Sequence, residues 1–212
     1  ADKNVSLLHA TCLNQDRCDA ILKMSETRKE KLKRQEDEQY HSVGRFVVQF
    51  EHLFFAIKNK MKILCGNYEE VSLLLEPFSV RQTIDVLSNL INYKTKNWEK
   101  ENNDKILFKK LIKDLNTLNQ KRNALIHTTW FIGWQSEETT DISEFDGYKF
   151  SSQHNFKTKK LTANEINEMT KLSQDLYNVF FTVWPIDIYS KNNLPEFSKI
   201  WSRDENGNWS RT

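Results

Sequence analysis

Residues that interrupt helices are scarce in this chain, and this scarcity constrains the fold more than any other feature. The 212 residues include only five glycines and three prolines. Glycine lowers helix stability and proline removes a helical hydrogen bond, so their rarity favours long, uninterrupted helices. Charged residues make up 28% of the chain and hydrophobic residues 38%, a balance typical of helices with a solvated face around a modest core. The sequence therefore predicts an all-α fold.

Apolar residues at spacings of three and four predict where these helices lie. One helix covers residues 43–64 and ends at Gly66 and Asn67. A second covers residues 79–92 with Ser79 as its N-cap, and a third begins at Asn103 or Asp104 and continues to residue 128. The last helix starts with a capping box formed by Thr162 and Glu165 and ends near residue 183. In the first three predicted helices, the apolar side chains expected to face inward are Phe46, Val47, Phe50, Leu53, Phe54, Ile57, Met61, Leu64, Val80, Ile84, Leu87, Leu90, Ile91, Ile106, Leu107, Leu111, Ile112, Leu115, Leu118, Leu125 and Ile126.

Two short segments depart from the helical pattern. Residues 129–134 are aromatic and β-branched, and residues 148–156 are predicted to pair with them across an acidic loop as a small β-hairpin. Near the C-terminus, Trp201 and Trp209 flank the dipeptide Asn206-Gly207, a turn signal that predicts a second, minor hairpin.

The organisation predicted from these patterns has three parts. Residues 1–40 form an N-terminal charged helical extension, residues 41–184 a helical domain and residues 185–212 a C-terminal tail. Cys12, Cys18 and Cys65 have no disulfide or zinc-ligand spacing, so reduced thiols are expected. No apolar run approaches membrane-spanning length and no leader opens the chain. We therefore expect a cytoplasmic protein that does not associate with a membrane and binds no metal or other cofactor.

Charge is unevenly distributed around the third predicted helix. Nine basic and four acidic residues lie between positions 94 and 122, whereas positions 130–148 hold five acidic residues and no basic one. The basic stretch leads directly to Arg122, as an approach for phosphate would. A lysine-rich solvated helix face is the alternative interpretation.

The run Arg122-Asn123-Ala124-Leu125-Ile126-His127 is the most persuasive chemical site in the sequence. Asn123 and His127 are i,i+4 neighbours on one helix face, while Arg122 is rotated from His127 by about 140°. Histidine can donate or accept a proton near neutral pH, and arginine can bind a phosphate with two parallel hydrogen bonds. With RNA's own 2′-hydroxyl as the nucleophile, these three side chains suit RNA cleavage without a metal. A structural histidine that bonds to backbone is the alternative.

This motif and the order of helices around it resemble the Arg-x(4–6)-His motif of the HEPN superfamily, over roughly residues 40–184. The resemblance implies a HEPN-like helical bundle that dimerises, with two motif helices forming one composite site. It also implies catalytic roles for three residues: His127 in proton transfer, Arg122 on phosphate and Asn123 in positioning. Family members include toxins and antiphage ribonucleases, along with relatives that do not cleave RNA.

Several other residues are secondary candidates. Lys113, Lys121 and Trp130 are predicted to contact RNA, although Trp130 and Trp134 also suit core or dimer packing. The resemblance suggests that Glu51, with its neighbour His52, supports His127, and a surface pair is the alternative. His154 with Lys157, Lys159 and Lys160 can contact phosphate or form a solvated loop, whereas His9 and His41 lack partners that suggest a metal.

The function that the sequence favours is a metal-independent endoribonuclease, acting as a homodimer on RNA. A toxin or phage-defence role, with an antitoxin or regulatory protein as a partner, is an expectation from the resemblance alone. One alternative is a non-catalytic helical dimer that binds RNA or a protein. Another is a nucleotide-controlled sensor whose N-terminal helices bind a partner or signal.

Overall fold

A computed structural model describes residues 27–66, 68–97, 99, 102–133, 138–150, 156–183 and 197–212. The first 26 residues, with His9, Cys12 and Cys18, lie outside the described residues, as do Asn67, Trp134 and His154. The described chain is mostly helical and carries two small antiparallel sheets.

The first helix, α1 (Arg28–Leu64), spans 37 residues. Its N-terminus is fixed by a capping box, in which Thr27 and Glu30 exchange side-chain and backbone hydrogen bonds. The helix passes without interruption from the charged segment into the apolar segment predicted for residues 43–64, and it ends before Gly66, whose φ is +98°. The charged segment is not solvated all round, since Gln35 and Gln39 are buried against Asp141 and Ile142.

Three helices follow: α2 (Glu69–Leu75), α3 (Val80–Lys94) and α4 (Asn103–Ile126). The predicted Ser79 cap is confirmed, because its hydroxyl accepts a hydrogen bond from the Gln82 N–H and the Gln82 side chain binds back. The start of α4 at Asn103 is also confirmed, with Asn102 as its cap. The seven-residue α2 was not predicted from sequence. Its N-cap Tyr68 makes no capping hydrogen bond, and so short an element leaves little periodic signal.

The predicted hairpin after α4 is a three-stranded antiparallel sheet, β1 (Thr129–Phe131), β2 (Glu144–Phe150) and β3 (Phe156–Thr162). Residue 129 pairs with residue 148, so β1 and the start of the predicted partner do meet. The assignment of residue 156 to that same partner strand was wrong. Phe156 begins β3, which pairs with all of β2, so the excursion has one more strand than predicted.

The remaining elements are α5 (Ala163–Val183), α6 (Phe197–Ile200), β4 (Trp201–Arg203) and β5 (Trp209–Arg211). The predicted capping box of α5 is confirmed, with the Thr162 N–H donating to Glu165 at 2.8 Å and the Glu165 N–H donating to the Thr162 hydroxyl at 3.2 Å. The predicted second hairpin is confirmed as β4 and β5, joined by a turn in which Gly207 has a φ of +90°.

One hydrophobic core joins these helices, and the pair α1 and α5 forms the most extensive helix–helix contact within the described residues. The apolar stripes predicted from sequence are largely buried, but Ile106 and Ile126 at the two ends of α4 are 38% and 43% exposed. Fully buried side chains come from four helices and include Phe46, Phe50, Leu53, Ile57, Ile84, Leu87, Leu111, Leu115, Leu118, Ile166 and Phe180. In this core α4 packs against α3 and α5, and this packing positions the motif.

Candidate functional site

The motif lies at the C-terminal end of α4, where the helix ends for a definite chemical reason. The last carbonyl groups of a helix lack helical partners. Here the His127 N–H donates to the Asn123 carbonyl at 3.1 Å, and the Thr128 hydroxyl donates to the Ala124 carbonyl at 2.6 Å. The indole N–H of Trp130 donates to the Leu125 carbonyl, also at 2.6 Å. The end of α4 and the backbone of His127 are therefore fixed by the turn into β1.

His127 is the C-cap residue of α4, and not part of its regular interior. Its side chain is exposed, and within the described residues the imidazole forms no hydrogen bond or ion pair. The two ring nitrogens are thus open to a ligand. A histidine with a fixed backbone and a free ring is suited to exchange protons with a substrate.

Arg122 is held from two sides. One terminal nitrogen lies 3.8 Å from a carboxylate oxygen of Glu51, and the other donates to Oδ1 of Asn123 at 3.3 Å. Its guanidinium carbon also lies 5.5 Å from the centre of the Phe50 ring, within the range of a cation–π contact. The Arg122 side chain is 26% exposed and that of Glu51 is 60% exposed. An ion pair this long and this open is weak, so it positions Arg122 without engaging the whole guanidinium.

The predicted catalytic residues are thus brought together only in part. Arg122 contacts Asn123 and also lies near Glu51 of α1. No described hydrogen bond links Arg122 or Asn123 to the His127 ring. Glu51, suggested as a support for His127, contacts Arg122 instead. His52 is exposed and lines a different surface, a groove between α1 and α5.

Two of the three residues predicted to contact RNA share a cavity of about 340 Å³ beside the end of α4. Lys121 and Trp130 line it together with Lys159 and Lys160 of β3. These two lysines could not be linked to the motif from sequence, because only the folding of β3 brings them beside α4. Lys113, the third predicted residue, is exposed and does not line this cavity.

Trp130 is tied firmly into the fold. Its N–H is occupied by the Leu125 carbonyl, and its ring meets Phe145 edge-on with centroids 5.2 Å apart. A Cβ atom on Gly147 would lie only 2.4 Å from the indole, so the tryptophan packs directly over that glycine. The packing role weighed from sequence is therefore present in the structure, and only part of the ring is left to face the cavity.

Two acidic residues of α4, Asp104 and Asp114, bind the C-terminal segment and were not predicted from sequence. Asp104 accepts the backbone N–H groups of Phe197 and Ser198, each at 2.8 Å. Asp114 accepts two hydrogen bonds from Arg203, at 2.7 and 2.9 Å, and one from the indole of Trp209 at 2.9 Å. A usable signal did exist for Asp114, because it follows Leu111 by three residues and so falls within the buried stripe of the helix.

Among the described residues, none of the helices is both long and apolar enough to cross a bilayer. That part of the chain also holds no cluster of three or more His, Cys, Asp or Glu side chains suited to a metal ion. Comparison with protein-family models, with characterised proteins and with solved structures gave no match to this chain. The resemblance to HEPN ribonucleases therefore rests on the motif and on the helices around it.

Proposed function

We propose that this chain is a metal-independent endoribonuclease with a HEPN-like helical bundle. The observation that carries the proposal is the end of α4, where the His127 ring has no partner within the described residues and Arg122, five positions earlier, contacts Glu51 and Asn123. Such a pair supplies a proton-transfer group and a phosphate-binding group, which are the two requirements for RNA cleavage by its own 2′-hydroxyl.

In the proposed reaction, the 2′-oxygen attacks the adjacent phosphorus and the bond to the 5′-oxygen breaks. His127 takes the proton of the 2′-hydroxyl or gives one to the departing 5′-oxygen. Arg122 balances the charge that develops on the phosphate, and Asn123 holds Arg122 through its amide oxygen. The products are a 2′,3′-cyclic phosphate and a 5′-hydroxyl.

We further propose that the active form is a homodimer in which two α4 ends share one composite site. One histidine can serve only one of the two proton transfers at a time, and a second copy would bring the other. Exposed apolar side chains on α1 support self-association: Phe55 and Ile63, about two helical turns apart, are 68% and 41% exposed. A toxin or phage-defence role, with an antitoxin or regulatory protein as a partner, follows from the resemblance only.

The test is cleavage of a mixed pool of total RNA in EDTA by the wild type and by His127→Ala. Removing a general acid or base costs about 10²- to 10⁴-fold in rate, so cleavage by the variant is expected to fall at least 100-fold. Asn89→Ala, at an exposed position of α3, is the matched control and keeps full activity. Circular dichroism and thermal unfolding of the three proteins establish that they are equally folded.

Sedimentation of the same samples tests the composite site. The account expects a dimer whose specific activity falls when dilution dissociates it. A monomer that cleaves RNA at full rate would exclude the shared site while leaving the role of His127 intact.

A non-catalytic helical dimer that binds RNA or a protein is the second candidate. It is favoured by the exposed apolar residues of α1 and by Leu73 and Leu74 of α2, which are 71% and 67% exposed. An absence of cleavage by the wild type on the RNA pool, with dimerisation intact, would favour this candidate.

A further inference from the structure

A large groove lies between α1 and α5, on the solvent side of their packed interface. Its volume is about 720 Å³. His41, Arg45 and His52 line it from α1, and Lys171 and Asp175 line it from α5. Among these five residues, only His52 was given a candidate role from sequence, as a neighbour of Glu51.

Gly44 is an exposed residue of α1 that lines this groove. Glycine in a helix interior destabilises the helix relative to alanine, and Gly44 lies well inside the 37-residue α1. Its backbone does not need glycine, because the described glycines with positive φ are Gly66, Gly133 and Gly207. Nor does packing, since a Cβ atom on Gly44 would meet nothing within 4 Å. A side chain at residue 44 would therefore project into open space at the groove.

The charges in the groove favour an anionic ligand. Arg45 is exposed, and within the described residues it has no ion pair or hydrogen bond. Lys171 adds a second cation, which donates to the amide oxygen of Asn208 at 3.3 Å and also interacts electrostatically with Asp175. Asp175 is the one carboxylate in the described lining, and burial raises the pKa of its carboxyl group above the ordinary value.

Amide side chains complete the lining and favour a nucleic acid over a simple anion. Gln49, Asn167 and Gln174 lie in the groove with the cations. Each amide offers both a donor and an acceptor, the combination that reads the edges of unpaired bases, while Arg45 and Lys171 suit the phosphates between them.

The groove also adjoins the candidate catalytic residues along α1. His52 lines the groove, and the preceding residue, Glu51, lies 3.8 Å from Arg122. Consecutive positions on a helix are about 100° apart, so one turn of α1 faces the groove on one side and Arg122 on the other. A strand cut at the end of α4 can therefore continue over this turn.

We propose that the groove between α1 and α5 binds the single-stranded RNA that extends from the cleavage point, through its phosphates and base edges. This inference rests on the proposed ribonuclease function. It adds a substrate-binding surface that lies apart from Arg122, Asn123 and His127.

Filling the groove tests the proposal, because Gly44→Leu adds a side chain where the fold has room for one. Leucine favours helix more than glycine does, so the melting temperature is expected to stay the same or rise by roughly 2–4 °C. RNA binding is measured by fluorescence anisotropy with a labelled 12-nucleotide single-stranded RNA, in the His127→Ala background so that the RNA is not cut. The double variant that also carries Gly44→Leu should bind this RNA at least tenfold more weakly than His127→Ala alone. Asn89→Leu, on an exposed position of α3, is the control and leaves binding unchanged.

Arg45→Ala is the second variant and decides the question if Gly44→Leu fails to fold. Arg45 has no described hydrogen bond or ion pair whose loss would unfold the chain, and its removal should weaken binding about tenfold. The proposal would be overturned if every folded groove variant bound the RNA as tightly as the Asn89→Leu control does. Displacement of the RNA by AMP at comparable concentration would also overturn it, in favour of a mononucleotide pocket.

The groove and the ribonuclease can fail separately. If cleavage depends on His127 but its KM is unchanged in Gly44→Leu, the proposed role of the groove is rejected and the ribonuclease function is retained. If the groove variants weaken RNA binding but the wild type does not cleave RNA, the ribonuclease function is rejected and the proposed role of the groove is retained.

Discussion

The two ends of α4 use polar side chains in opposite ways. In its N-terminal half, Asp104 and Asp114 are buried, and their carboxylates accept two and three hydrogen bonds respectively from the C-terminal segment. At its C-terminal end, Arg122 has one long ion pair and His127 has no side-chain partner in the described structure. Buried polar groups whose hydrogen bonds are all made stabilise a fold, whereas polar groups with unused hydrogen-bond donors or acceptors can bind a ligand.

The strongest test of this difference is Asp114→Ala. It would leave the guanidinium of Arg203, which is 21% exposed, and the buried indole N–H of Trp209 without their acceptor. Breaking one partner of a largely buried pair costs about 3–5 kcal/mol. We expect urea denaturation to show a loss of that size, and His127→Ala, at the other end of the helix, to change the free energy of unfolding by less than about 0.5 kcal/mol. Equal losses of unfolding free energy in Asp114→Ala and His127→Ala would contradict the proposed difference between the two ends of α4.

The second prediction concerns how Arg122 binds phosphate. Arg122→Lys keeps the charge but loses the planar fork, so kcat/KM for RNA should fall roughly tenfold with little change in stability. The control is Arg81→Lys on α3, an arginine whose side chain is 76% exposed. Full activity of Arg122→Lys would mean that only charge matters at this position.

A smaller effect is expected at Glu51. Glu51→Gln removes the carboxylate 3.8 Å from Arg122, and exposed ion pairs contribute less than about 1 kcal/mol. Cleavage should therefore fall by less than roughly fivefold, through looser positioning of Arg122. A loss as large as that of His127→Ala would instead assign Glu51 a direct part in proton transfer.

The smallest predicted effect is a pH dependence at the start of α1. Hydrogen bonds from Ser143, and then one from Lys31, hold the pKa of Asp141 well below its ordinary value of 3.8. A carboxyl group with a lowered folded pKa adds stability above its unfolded pKa and loses it as the pH falls through the folded pKa. Asp141→Asn should therefore be less stable than wild type at pH 6 and approach it below pH 4 in urea titrations. A difference independent of pH would contradict this assignment.

Local signals in the sequence predicted much of this fold. Ser79 and Thr162 each satisfy backbone groups three residues away, and the Asn206-Gly207 turn closes its own hairpin. Their partners are close in sequence, so their types and spacing carry the information.

The features that sequence missed depend on distant partners. Asp114 meets Arg203 and Trp209 at separations of 89 and 95 residues. Glu51 meets Arg122 only because α1 and α4 pack in one core. The same limit applies to the candidate site: the motif located Arg122, Asn123 and His127, but their partners, and the groove beside Gly44, depend on how the helices pack.

Chemical dissection of the cleaved bond tests the central claim most directly. The wild type is incubated in EDTA with single-stranded RNA and with the same sequence carrying 2′-O-methyl groups, and the product ends are identified by mass spectrometry. The account predicts that only the unmodified RNA is cut, leaving 2′,3′-cyclic phosphate and 5′-hydroxyl ends that His127→Ala does not produce. Cleavage of the 2′-O-methyl strand, or cleavage that requires an added divalent metal, would contradict it.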